Sequence, residues 1–208
     1  HKNMTTLGEG GMLVVRDPEW ADIVPMLRHN GHRPYSVDRP DYWIPAMTDV
    51  TLPRLKGKAL WPINCCLGEV SCALGTQLLD RVDEMNAQRR ARALAVIDAL
   101  ADCPELVFHR EASLRHSYYL LAARVQEGLR DRFIRRMAEH HGIQCVVQYY
   151  PLNRYPLYRD LGFGEAVVPS TDAFFDNMVS LPFSHLLTDV QIKQIIAATR
   201  ETVEFLRR

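Results

Sequence analysis

The chain has 208 residues, 47% of them hydrophobic and 24% charged, with 25 basic residues against 25 acidic ones. That is enough apolar side chain to bury a core, which excludes a disordered chain, and no apolar run approaches the roughly 18 residues that a spanning helix needs. The zero net charge and two short arginine clusters, at 88–92 and 130–136, fit solvated helix faces better than a phosphate-binding stripe, so neither nucleic acid nor membrane is an expected partner.

In chain order, Thr5-Thr6-Leu7-Gly8-Glu9-Gly10-Gly11 is too glycine-rich for a regular element and reads as a turn into a short strand at 12–15. A phosphate cradle needs strand, glycine loop, then helix, and here the glycines come before the strand. Asp17-Pro18-Glu19 is a helix start, Trp20, Ile23, Val24 and Leu27 share a face, and Gly31 is a stop. Residues 32–62, with five prolines, two tyrosines and two tryptophans, read as an ordered loop that packs on something. A long helical region follows at 67–100, since Leu67, Val70, Leu74, Leu78, Val82 and Met85 recur every three or four residues.

The remainder alternates: strands at 106–109, 117–125, 143–150 and 179–181, and helices at 131–141, 171–177 and from Thr188 onward. Alternation of this kind predicts an α/β fold with helices packed on a sheet.

Five cysteines without a Cys-x-x-Cys pair indicate neither a disulfide framework nor a zinc ribbon. Cys65, Cys66 and Cys72 fall in an apolar stretch and are expected to be buried, and a reduced, cytoplasmic setting is expected. The eight histidines show no metal spacing, so no metal site is expected. His140 and His141 read as charges favouring the negative end of a helix.

The basic residues include only four lysines, Lys2, Lys56, Lys58 and Lys193. Lys2 stands just before the glycine turn. A lysine held there, surrounded by protein, can act as an amine nucleophile toward carbonyls; the plain alternative is a surface lysine.

The segment His1-Lys2-Asn3-Met4-Thr5-Thr6-Leu7-Gly8-Glu9-Gly10-Gly11-Met12-Leu13-Val14-Val15 resembles the active-lysine segment of the DegT/DnrJ/EryC1/StrS family of pyridoxal-phosphate aminotransferases. Weaker similarities follow in the family's order. They are Leu27-Arg28-His29-Asn30-Gly31, Asn64 leading into Gln77-Leu78-Leu79-Asp80, the Arg89-Arg90 pair, His116-Ser117-Tyr118-Tyr119-Leu120, and Leu181-Pro182 with Leu187-Thr188.

The resemblance implies a fold-type I enzyme: residues 1–62 closing the large domain, 63–102 an inter-domain helix, and 103–208 the small C-terminal α/β domain. It implies pyridoxal 5'-phosphate as cofactor, with Lys2 binding it and shuttling a proton. Asn64 would donate to the cofactor phosphate of the other subunit in a homodimer with shared active sites. An asparagine there also suits a loop-to-helix cap. His116, Gln148 and Tyr149 would line the substrate end of the pocket, and the substrates would be an amino-acid donor and a keto sugar or keto-cyclitol.

Cys66, Tyr119, Gln148 and Asn153 depart from family residues, and the last three mark the substrate end as the least secure part of the carry-over. The family's dehydratases replace the lysine, so Lys2 argues for amino transfer; a cofactor-free paralogue is the remaining alternative. The resemblance also implies that the rest of the enzyme, an N-terminal half, carries the ring-stacking group, the aspartate partner of the pyridine nitrogen and most of the phosphate site.

Overall fold

The computed structural model describes residues 10–32, 45–52, 56–111 and 116–208. The expectations for Lys2 and the turn at 5–9 lie outside the described residues. The chain divides into two compact units, His1–Asp80 and Arg81–Arg208.

In the first unit, helix α1 (Pro18–Arg28) starts as its sequence dictates. Asp17 Oδ1 accepts from the Glu19 N–H at 3.0 Å, and Pro18 occupies a first-turn position whose N–H would have no helical partner. Trp20, Ile23, Val24 and Leu27 are half-buried on one face. The helix ends where Asn30 and Gly31 take positive φ, 52° and 72°, and the Gly31 N–H bonds back to Met26 O at 2.8 Å.

Residues 12–15 do not form the expected strand. An extended run becomes a strand only when a neighbouring backbone pairs with it, and none among the described residues does. Met12, Leu13 and Val14 are exposed. The region read as a loop at 32–62 instead contains a small antiparallel pair, β1 (Val50–Leu52) and β2 (Lys58–Leu60), in the register Val50↔Leu60 and Leu52↔Lys58. Val50 and Leu52 are buried and Thr51 between them is exposed, a two-residue period too short to stand out among prolines.

The single helical region expected at 67–100 is two helices, α2 (Glu69–Leu79) and α3 (Val82–Ala99). Arg81 leaves helical geometry between them, at φ −108° and ψ 1°, and the boundary of the two units falls there. Only α3 has its face set by a described core, burying Met85, Arg89, Ala93, Val96 and Ile97, whereas α2 buries none. Cys65, Cys66 and Cys72 are accordingly exposed, not buried, because apolar composition around α2 is not matched by a covering surface among the described residues.

The second unit is built on a three-stranded antiparallel sheet, β3 (Leu106–Phe108), β4 (Leu121–Val125) and β5 (Met178–Leu181), with β4 central. The registers are Leu106↔Val125 and Leu121↔Leu181. Leu121, Ala123 and Val125 are buried on alternate positions of β4.

Their core is completed by α3, by α4 (Arg130–His141) through Phe133 and Met137, and by α7 (Asp189–Leu206) through Ile192, Ile195, Ala198, Val203 and Leu206. Helix α4 stops at Gly142 in the left-handed conformation, φ 64°, and α7 opens with a capping box between Thr188 and Gln191. The strand expected at 143–150 is reduced to one bridge, Val146↔Ser180, with N–O distances of 3.1 and 2.7 Å.

A one-turn helix α5 (Pro156–Tyr158) and helix α6 (Pro169–Asn177) lie between β4 and β5 in the chain. Arg154 fastens this stretch to α6, donating to Asp172 at 2.9 Å and to Asp176 at 2.7 Å. No helix among the described residues is long and apolar enough to cross a membrane.

Candidate active site

Asn64 sits on a segment laid along the end of α1. Ile63 N–H donates to Leu27 O at 2.9 Å, Cys65 N–H to Arg28 O at 2.8 Å, and Asn64 forms a backbone bridge with His29. These bonds satisfy carbonyls that the last turn of a helix leaves without partners. Asn64 Oδ1 accepts from the Cys66 N–H at 3.1 Å, which turns the chain and pins the carboxamide. Helix α2 begins only at Glu69 with Gly68 as its cap residue, so Asn64 does not cap it. With its oxygen engaged, the exposed carboxamide retains its NH₂ group as donor, which suits an anion such as a phosphate without a buried charge.

Gly31 makes this arrangement possible. A Cβ there would lie 1.9 Å from Thr48 O, and its φ is positive. Replacing it with alanine forces Thr48 and Pro62 away from the end of α1, and Pro62 leads directly into the segment that carries Asn64. Gly31→Ala is expected to destabilise the first unit by at least about 1–3 kcal/mol from the backbone conformation alone. Amide hydrogen exchange of residues 27–31 and 63–65 should accelerate; unchanged protection there would contradict this account.

In the second unit, the sheet edge and the segment at 144–148 enclose a cleft of about 280 Å³ lined by Tyr119, Gln144, Gln148, Ser180, Pro182 and Phe183, among others. Gln148 is therefore in the cleft, its backbone N–H directed at Met178 Sδ at 3.3 Å. Tyr149 is 67% exposed and does not line the cleft. His116 does not line it either. Its Nδ1 accepts from the Tyr118 N–H at 3.1 Å and its ring packs edge-on against Tyr118. The structure thus brings together Gln148 and Tyr119, but not the full trio of His116, Gln148 and Tyr149.

Three weak sequence motifs converge here. Buried Arg89 donates to Asn86 Oδ1 at 3.0 Å and approaches His185 Nδ1 at 3.3 Å. Burial, reinforced by Arg89, Arg92 and Arg81, holds His185 below the ordinary imidazole value, so its neutral ring accepts from Arg89. Arg92 donates to the carbonyls of His185 and Leu187. Arg90 donates to Glu111 O at 3.3 Å and lies over the Tyr118 ring, whose hydroxyl accepts from the Glu111 N–H at 2.9 Å. The arginines of α3 thereby hold both the 181–188 segment and the approach to β4. The sequence signalled Arg89 and Arg90 as a pair and the cluster at 88–92 as a solvated helix face, whereas Arg89 is buried and Arg90 and Arg92 are half-buried, because their partners lie tens of residues away. His185, Gln144 and Ser180 carried no signal, for the same reason.

Residues 1–200 match the family model of the DegT/DnrJ/EryC1/StrS aminotransferase family. The chain is 26% identical over 211 residues to the spore coat polysaccharide biosynthesis protein SpsC of Bacillus subtilis, covering 98% of this chain and 51% of that protein. It is 28% identical over 206 residues to the dTDP-3-amino-3,4,6-trideoxy-alpha-D-glucose transaminase of Streptomyces venezuelae, covering 98% and 48%.

Among solved structures, the aminotransferase from Psychrobacter cryohalolentis superposes with a TM-score of 0.80 at 23% identity, over 100% of this chain and 54% of that one. The putative sugar aminotransferase Spr1654 from Streptococcus pneumoniae, in its PMP form, gives 0.74 at 24% identity, over 99% and 51%. The chain spans about half the length of the relatives it matches, and its fold is that of the matched part of these aminotransferases. On the family match over residues 1–200, the chain belongs to the DegT/DnrJ/EryC1/StrS aminotransferase family.

Proposed function

We propose that the chain is the lysine-bearing half of a pyridoxal-phosphate-dependent aminotransferase. It would move an amino group from glutamate or glutamine to a keto sugar carried on a nucleotide, or to a keto-cyclitol. The observation that carries this reading is the family match over residues 1–200, which includes the Lys2 segment. Relatives named as a dTDP-amino-sugar transaminase and a GDP-perosamine synthase support sugar as the substrate class.

On this reading residues 1–62 close the large domain, 63–102 connect the domains and 103–208 form the small one. The N-terminal half of the enzyme supplies the remaining cofactor contacts, and the enzyme works in the cytoplasm as a homodimer with shared active sites.

Lys2 would hold the cofactor covalently, and the NH₂ group of Asn64 would donate to the phosphate of the cofactor in the other subunit, which fits the engaged Oδ1 described above. Bound pyridoxal phosphate supplies the electron sink for breaking a C–H bond beside nitrogen. The chain's own part is proton handling: the freed amine of Lys2 takes the proton from the donor's α-carbon and later returns one to the substrate carbon that becomes C–NH₂. The carboxamide of Gln148 offers both donor and acceptor to a hydroxyl-bearing substrate in the cleft. His116 and Tyr149 would contact the substrate from outside that cleft.

The test uses the complete enzyme, this chain together with its N-terminal half, and a nucleotide-linked keto sugar. Amino-sugar formation that depends on added glutamate or glutamine is the expected result. A dehydrated product formed without an amino donor, or a colourless protein that takes up no pyridoxal phosphate, would overturn the reading.

A further inference from the structure

The end of α4 brings His140 and His141 beside Glu201 of α7. One ligating atom from each of the three side chains lies within 4.8 Å of those of the other two. The two imidazole rings stand nearly perpendicular, with centroids 4.7 Å apart, so they do not stack away their nitrogens. His141 is half-buried, and its Nε2 is closed to solvent with no hydrogen-bond partner among the described residues. A buried ring nitrogen is costly to leave unpaired, and an orphan of this kind calls for an occupant.

The backbones beneath these side chains are fixed. Phe133 and Met137 bury α4 in the same core as Ala198 and Val203 of α7. Thr202, next to Glu201, places its hydroxyl 3.3 Å from Met137 Sδ. Gly142 ends α4 immediately after the histidine pair. His140 and Glu201 are exposed, so their side chains can turn by the small amount needed to close onto an ion at about 2.0–2.2 Å.

We propose that His140, His141 and Glu201 form a binding site for one transition-metal ion of the zinc class, which ties the end of α4 to α7. Two imidazoles and one carboxylate are a borderline donor set that suits Zn²⁺ or Co²⁺, whereas Ca²⁺ and Mg²⁺ prefer all-oxygen shells. Three protein ligands leave a fourth position to water. The guanidinium of Arg136 also acts on His141 and its charge opposes the ion, which tempers the affinity. Sequence spacing could not reveal the site, because the third ligand lies on another helix sixty residues along the chain. The proposal is independent of the reaction proposed above.

The full chain is titrated with Zn²⁺ against a chromophoric chelator at pH 7.5, where free imidazoles are neutral and able to ligate. One equivalent per chain is expected, with a rise in thermal midpoint on binding. Loss of a mere outer-sphere partner typically weakens metal binding by about 10–100-fold, so His141→Ala and Glu201→Gln should each cost at least that. Glu201→Gln changes an exposed residue, so it preserves the fold.

The stacked pair His29 and His32, with ring centroids 4.2 Å apart, is the competing site, and His29→Ala is the control. Retention of the single site in His29→Ala and its loss in Glu201→Gln support the proposal. Equal affinity in wild type and Glu201→Gln, loss in His29→Ala, or no bound equivalent overturns it.

Discussion

Lys2→Ala in the complete enzyme is expected to lower amino-group transfer by about 10³-fold or more. A positioned general acid–base alone contributes roughly 10²–10⁴-fold, and here the same amine also anchors the cofactor. The second unit should stay folded, because its core is drawn from residues 93–206. Two readouts separate a chemical role from a structural one. The visible absorbance of bound cofactor should shift in the variant while the thermal midpoint measured without cofactor stays the same. Small primary amines added to the variant should restore part of the rate, since they can do the proton transfer that the missing side chain no longer does. A variant that keeps a tenth of the wild-type rate, or whose absorbance is unchanged, would remove Lys2 from the chemistry and leave it a surface lysine.

The role proposed for Lys2 rests on the sequence alone, since the residue lies outside the described ones. Its segment is local, so a resemblance over fifteen residues can carry it. Legibility elsewhere follows the same rule. Helix α1 could be read because Asp17 and Pro18 at its start and Gly31 at its end each act on the turn beside them. The end of α4 at Gly142 and the Thr188 cap of α7 could be read for the same reason.

What failed was set by distant partners, although the strands β3, β4 and β5 formed where expected. The run at 12–15 has strand composition but no pairing backbone among the described residues, and 143–150 pairs with β5 at one point only. Cys65, Cys66 and Cys72 sit in an apolar stretch that buries nothing. The sequence singled out Asn64 by its motif alone, and the bonds that hold its segment, to Leu27, Arg28 and Cys66, arise from a crossing of two segments that spacing does not show. Gln148 reaches the cleft while Tyr149 beside it is turned to solvent, a difference that composition does not show.

Phe133→Ala should have the largest effect on stability. Its side chain is 0% exposed, on the face of α4 that also buries Met137, in the one cluster that joins α3, α4, α7 and the sheet. Removing a fully buried phenyl ring costs about 3–5 kcal/mol, the lost transfer energy plus the cavity left behind. Native stability is only about 5–15 kcal/mol, so the loss takes a large share of it. Urea unfolding should show a lower midpoint with an unchanged slope.

Val107→Ala is the matched comparison. Val107 lies between Leu106 and Phe108 on β3 and is 50% exposed, so its truncation should shift stability by no more than about 0.5 kcal/mol. The effect should also reach the cleft, because β5 shares its core with Phe133 and carries Ser180 and Leu181 on the cleft wall. If Phe133→Ala and Val107→Ala destabilise alike, the helices are not packed on the sheet as described, and the position of Gln148 loses its support.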